Sequence, residues 1–198
     1  MYLKPLAFFA AMALGSAAMA QSYELDPGHT EISFAWNHVG LTTQRGEWLS
    51  ISGGVDFNPE DVTATQVTVE IDSASLHTGV EELDEILKGP DYFDTETYPT
   101  ITFVSTSAVQ TGAENMRMTG DLTVKGQMTP VTLDVELTFM GKNPLGEFLD
   151  YYQGDWVGVE AKGTVLRSAL GVGMFAPIVS DTVELSISAE MREGGWPE

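Results

Sequence analysis

The stretch Asp26-Pro27-Gly28-His29-Thr30-Glu31-Ile32-Ser33-Phe34-Ala35-Trp36-Asn37-His38-Val39-Gly40 decides how the rest of the chain is read. Ile32, Phe34, Trp36 and His38 fall on alternate positions, so an extended strand here carries three large apolar side chains and an imidazole on one face. Asp26-Pro27-Gly28 reads as the turn that launches it. Gly40 to Gly46 is a short polar interval, and Trp48 then restarts the apolar pattern. The segment is therefore expected to be a first hairpin whose inner face is lined with rings.

The same one-sided alternation recurs along the chain. Val67, Val69 and Ile71 alternate with polar residues over 66–72, Val131 to Phe139 do so over 131–139, and Val183, Leu185, Ile187 and Ala189 over 182–189. Weaker runs at 48–57, 100–106, 115–125 and 155–167 are β-branched, aromatic or broken by glycine, and Lys125-Gly126 reads as the tip of a hairpin. These make about eight strands, neighbours in sequence and hence mostly antiparallel. One segment breaks the period: Thr78-Gly79-Val80-Glu81 has the form of a capping box, and Val80, Leu83, Ile86 and Leu87 share a helical stripe before Gly89-Pro90. A short helix over Thr78 to Lys88 is expected, with Glu81, Glu82, Asp84 and Glu85 on a solvated face. Gly194-Gly195-Trp196-Pro197 reads as a tail.

An all-β fold of this kind stacks as two sheets or closes into an antiparallel barrel, and closure removes the edges that invite aggregation. An eight-stranded barrel has an interior that side chains can fill or that can hold one small ligand. On composition alone the filled core is the simpler reading.

Residues 1–20 stand outside the fold. Lys4, the apolar run Leu6 to Leu14 and Ala18-Met19-Ala20 have the organisation of a secretory signal peptide, too short to span a bilayer. Cleavage after Ala20 would leave a single domain over 21–198, in the periplasm or secreted. The chain has 9 Lys and Arg against 29 Asp and Glu, a net charge of −20, which argues against nucleic acid or an anionic membrane as partner. The absence of cysteine excludes disulfides, thiolate metal sites, a cysteine nucleophile and a lipidated cysteine. His29, His38 and His77 have no zinc-site spacing, no G-x-S-x-G elbow or calcium loop occurs, and Asp91 and Asp94 read as an ordinary loop. No metal or cofactor is therefore expected, nor catalysis. For His38 the preferred role is a structural hydrogen bond, and for Arg167 a tie to backbone carbonyls or to Asp26.

The order and spacing of many short pieces resemble the YceI-like family of exported, lipocalin-like lipid-binding proteins. They include Tyr23, Asp26 to Thr30, Gly46-Glu47-Trp48, Tyr92-Phe93-Asp94, Tyr98 to Phe103, Gly120 to Thr123, Arg167-Ser168 and Val179 to Val183. Ala169 and Leu170 stand where the family usually has an acidic residue and Phe. The resemblance implies a lipocalin-like antiparallel barrel, hollow rather than filled, that holds a long-chain isoprenoid or similar amphiphile without catalysis. In such a channel Ile32, Phe34, Trp36 and His38 would be ligand-binding, joined by Trp48, Phe57, Phe93, Ile101 and Phe103. Stable membrane insertion is not expected, and a homodimer stays open. The alternative is a non-catalytic acidic interaction module with a filled core.

Overall fold

The computed structural model describes residues 20–196, so the expected leader lies outside the described residues except for Ala20. In chain order the elements are β1 (Gln21–His38), β2 (Thr42–Trp48), β3 (Ile51–Phe57), β4 (Gln66–Asp72), β5 (Leu76–His77), α1 (Glu81–Lys88), β6 (Thr100–Gln110) and β7 (Asn115–Val124). There follow β8 (Gln127–Lys142), β9 (Asp155–Leu166) and β10 (Thr182–Glu193), with short 3-10 turns between some of them. Every pairing is antiparallel, and β10 returns to β1, so the sheet closes on itself.

The ten segments form eight staves. β1 pairs with β2 through Ile32 to His38 and with β3 through Gln21 to Glu24, so β2 and β3 are one stave interrupted at Leu49-Ser50. β4 and β5 are likewise one stave, interrupted by the 3-10 turn Ser73–Ser75. The gaps are stitched by the Leu49 N–H to the Ser75 carbonyl (3.2 Å) and the Asp72 N–H to the Ser50 carbonyl (3.0 Å). The expected closed barrel of about eight strands is thus the architecture. Lys125-Gly126 is the β7–β8 hairpin tip, both residues at positive φ as a type I′ turn requires.

Several local expectations are corrected, the strand ones because the register of a partner strand overrides a local preference. Asp26-Pro27-Gly28 does not launch β1 but bulges within it: the β10 register jumps from Leu25↔Met191 to Thr30↔Ala189, leaving Asp26 to His29 opposite Glu190. Pro27 has no N–H to give the ladder, and the bulge switches the inward parity from Tyr23 and Leu25 to Ile32, Phe34 and Trp36. A second irregularity between Leu137 and Phe139 turns Phe139 outward, although simple alternation places it inside. With a third at Ser105/Ser107, all three lie in the half of the barrel away from the β1–β2 hairpin, where they bend the strands.

The helix is shorter than its sequence signal. Val80 is the N-cap, with no side-chain cap, and the expected capping box does not form. Thr78 instead gives its N–H (2.7 Å) and hydroxyl (2.6 Å) to Asp84. Asp84 is therefore buried rather than solvated, with His77 Nδ1 at 3.1 Å. Burial alone would raise this carboxyl, but the bonds from Thr78 and His77 outweigh it and hold it below the usual carboxylate range.

The C-terminal segment is not a tail as far as it is described. Trp156 faces outward from β9, opposite in parity to Val157, yet is only 1% exposed because the 143–154 connection and Trp196 cover it. Tyr151 stacks on Trp196 at 5.0 Å, Trp156 donates to the Tyr152 carbonyl (3.1 Å) and Trp196 to the Leu25 carbonyl (3.1 Å). This is a small aromatic core on the outside of the wall. Within it lies Asp26, 0% exposed, accepting from the Gly28 N–H (2.8 Å) and the Tyr151 hydroxyl (2.8 Å), with His29 Nδ1 at 2.7 Å. Burial pushes the Asp26 carboxyl up, but these bonds outweigh it and hold it below the usual range; burial and Asp26 in turn push the Tyr151 phenol up to about 12.

Candidate functional site

The inward side chains do not meet at the barrel axis. They surround a cavity of about 730 Å³, so the filled core favoured by composition is not what forms. The alternation that hides one face of each strand supplies its wall: Val67, Val69 and Ile71 from β4, Leu133 and Val135 from β8, Leu185 and Ile187 from β10. All nine residues expected to line a channel do line it: Ile32, Phe34, Trp36, His38, Trp48, Phe57, Phe93, Ile101 and Phe103. Those that sequence reasoning left out include Met116, Met118 and Leu122 on β7, the α1 stripe, and Val172, Phe175 and Val179. Their apolar alternation or spacing was visible, but nothing local says that a methionine faces a void instead of a neighbour.

The two ends of the cavity differ. Away from the β1–β2 hairpin its lining is buried, with Leu25, Phe57, Met116 and Met191 each under a tenth exposed. At the hairpin end the lining includes Val80, Ile86 and Phe175, which are 48%, 57% and 65% exposed, and exposed His38. The hairpin end is therefore the mouth, framed by the β1–β2 hairpin, α1 and the 167–181 connection. Polar groups follow the same axis: His38, Gln44 and Arg167 line the mouth half and Thr65 the far end, while Trp36, Trp48 and Tyr92 add the polar atoms borne on their rings. The His38 imidazole makes no hydrogen bond among the described residues and so does not have the structural role expected of it: His38 stands opposite Thr42 on the terminal β1–β2 rung, where its side chain is open to solvent.

A ladder of rings runs down from the mouth. Phe34 stacks on Trp36 at 5.7 Å, Trp48 lies 4.5 Å from Phe34, and Phe93 from the loop after α1 meets Trp48 edge-on at 5.8 Å. Such faces bury large area while losing little side-chain freedom.

Arg167 holds the mouth loop. Buried to 8% exposure, it donates to the carbonyls of Ser180 (2.7 Å), Val172 (2.9 Å), Met174 (2.7 Å) and Val179 (2.8 Å). Of the two ties expected of it, the carbonyls are made and Asp26 is not, because Asp26 sits in the outer aromatic core. Next to it the Ser168 N–H and hydroxyl bond Asp181 at 2.8 and 2.6 Å; these bonds, with the Arg167 charge, hold the Asp181 carboxyl below the usual range. The tied loop places Leu170, Val172, Phe175 and Val179 against the cavity.

Asp26, His29 and Glu190 bring ligand-capable atoms within 4.8 Å of one another. The His29 contact to Asp26 and the position of Glu190 opposite the β1 bulge account for that placement.

Residues 23–191 match the profile of the YceI-like domain. The chain is 32% identical over 187 residues to Protein YceI of Escherichia coli O157:H7, covering 93% of this chain and 94% of that protein. Among solved structures, BcnA of Burkholderia cenocepacia superposes with a TM-score of 0.73 at 25% identity, over 84% of this chain and 98% of its own. A polyisoprenoid binding domain from Saccharophagus degradans has the same fold, with a TM-score of 0.58 at 15% identity over 89% of this chain and 99% of its own.

Proposed function

The chain belongs to the YceI-like family, and from that premise we propose that it is a non-catalytic lipid carrier, holding a long-chain isoprenoid or similar amphiphile inside the barrel. One observation carries this reading: the barrel encloses a continuous apolar cavity of about 730 Å³ with its polar lining concentrated at an exposed mouth. That polarity suits an amphiphile with its chain inward and its head at His38, Gln44 and the Arg167 loop. Each 100 Å² of chain withdrawn from water contributes about 2.5 kcal/mol before ordering costs, so no charged anchor is needed for binding. The relative described as a polyisoprenoid binding domain shares the fold, which is consistent with this ligand class. The same proposal places the mature protein in the periplasm or outside the cell, after cleavage following Ala20, where a soluble carrier would serve lipid transport, storage or stress protection.

Protein purified without detergent should yield a stoichiometric long-chain lipid on organic extraction and mass spectrometry. Clean protein that ignores added isoprenoids would overturn the reading. Ala161, buried in the β9 wall and facing the cavity, offers a second check. Ala161→Phe puts a ring into open space, so the lipid-free protein should lose less than about 1 kcal/mol, whereas overpacking a filled core costs 1–3 kcal/mol. Retained long-chain lipid should fall about tenfold, roughly 1.4 kcal/mol.

A further inference from the structure

The cavity exists partly because two rings lie flat on the wall instead of crossing the lumen. Phe34 on β1 stands opposite Gly46 on β2, and a Cβ added to Gly46 would come within 2.5 Å of the Phe34 ring tip and 3.0–3.1 Å of its two Cε atoms. Three staves further round, Phe103 on β6 covers Gly120 on β7, where a Cβ would come within 2.3 and 2.6 Å of the ring. Neither glycine lines the cavity; the rings over them do. No left-handed φ at Gly46 or Gly120 calls for glycine, so it is the space of the missing methyl that matters.

We infer that Gly46 and Gly120 set the bore of the cavity, by seating Phe34 and Phe103, and thereby admit methyl-branched chains as well as thinner straight ones. This rests on the lipid-carrying reading above. The geometry at Gly46 allows one main response to a methyl group. Phe34 is flanked by Trp36 at 5.7 Å and Trp48 at 4.5 Å, so a ring pushed off the β2 wall moves into the lumen. The lumen then narrows just below the mouth, where every entering chain must pass. A straight chain is thinner than a prenyl chain with a methyl branch on each unit, and so loses less. At Gly120 a Cβ also meets the Val104 carbonyl at 2.7 Å, which would disturb the backbone; Gly46 is therefore the position to change.

The test measures the affinities of delipidated protein for a prenyl alcohol and a straight-chain alcohol of equal carbon number, by competition against a fluorescent lipid. Gly46→Ala should shift the ratio of the two affinities about tenfold toward the straight chain, the discrimination typical of a methyl group at a fitted apolar wall. Adding Phe34→Leu in the same chain should return the ratio toward wild type, because the displaced ring is gone. Phe34→Leu alone, which needs no fold-sensitive change at Gly46, should shift the ratio the other way. Wild-type protein that binds both alcohols, with a ratio unmoved by Gly46→Ala or by Phe34→Leu, would overturn the inference while leaving the carrier reading standing. Wild-type protein that binds neither alcohol would overturn both.

Discussion

Arg167→Ala should destabilise the protein by about 4 kcal/mol, lowering the melting temperature by roughly 10 °C. The guanidinium is 8% exposed and gives four hydrogen bonds to backbone carbonyls of Val172, Met174, Val179 and Ser180. Charge-assisted bonds of this kind are worth more than neutral ones, and each carbonyl left without a partner adds a desolvation penalty. Arg167→Lys should recover only a part, since an ammonium has three donors and no planar fork. Thermal unfolding of lipid-free wild type and both variants measures this. The same variants separate the two roles an arginine at the mouth could have. If it serves the loop, protein that still folds should retain extracted lipid. Loss of lipid at unchanged stability would instead assign the charge to the ligand head.

Asp26→Ala should cost about 3 kcal/mol at neutral pH, because three donors converge on one fully buried carboxylate. The wild-type contribution must also depend on pH. The folded carboxyl titrates below the usual range, so the unfolded chain takes up the proton first as pH falls. The stabilisation is therefore complete above about pH 5 and drains away as pH drops through the lower folded-state value. Because the chain carries 29 acidic residues, the informative quantity is the difference between wild type and Asp26→Ala in urea unfolding. That difference should shrink toward zero on acidification. Tyr151 gives the opposite limb: with its folded phenol raised to about 12, its contribution persists to about pH 10 and is lost as pH rises further. A pH-independent difference would show that the ionised form of Asp26 is not what stabilises the fold.

These two clamps lie toward opposite ends of a barrel whose centre is open, Arg167 at the mouth and Asp26 outside the far half of the wall. A hollow barrel forgoes the contacts that a filled axis would supply. Buried polar groups with complete hydrogen bonding can hold its ends in register, and the chain has no disulfide with which to do so.

The sequence by itself determined the staves. β4 spans the same residues, 66–72, that its alternation marks, and β7, β9 and β10 start at the expected residues, because a period of two is a local property of a strand with one buried face. The Lys125-Gly126 tip and the inward side chains of the first hairpin were legible for the same reason. Only the tertiary structure decided what lies between the walls. The parity switches at Asp26–His29 and at Leu137–Phe139 arise from the partner strand's register, which no single strand encodes. Asp84 reads as solvated and Trp196 as part of a tail, yet Asp84 is held by Thr78 and His77 where the chain turns into α1, and Trp196 by Tyr151, Trp156 and the Leu25 carbonyl, which the fold brings to it. Phe34 and Phe103 would fill a core or line a channel with equal ease on hydrophobicity. The glycine opposite one and diagonal to the other lets each ring lie against the wall, and that pairing across strands leaves the barrel hollow.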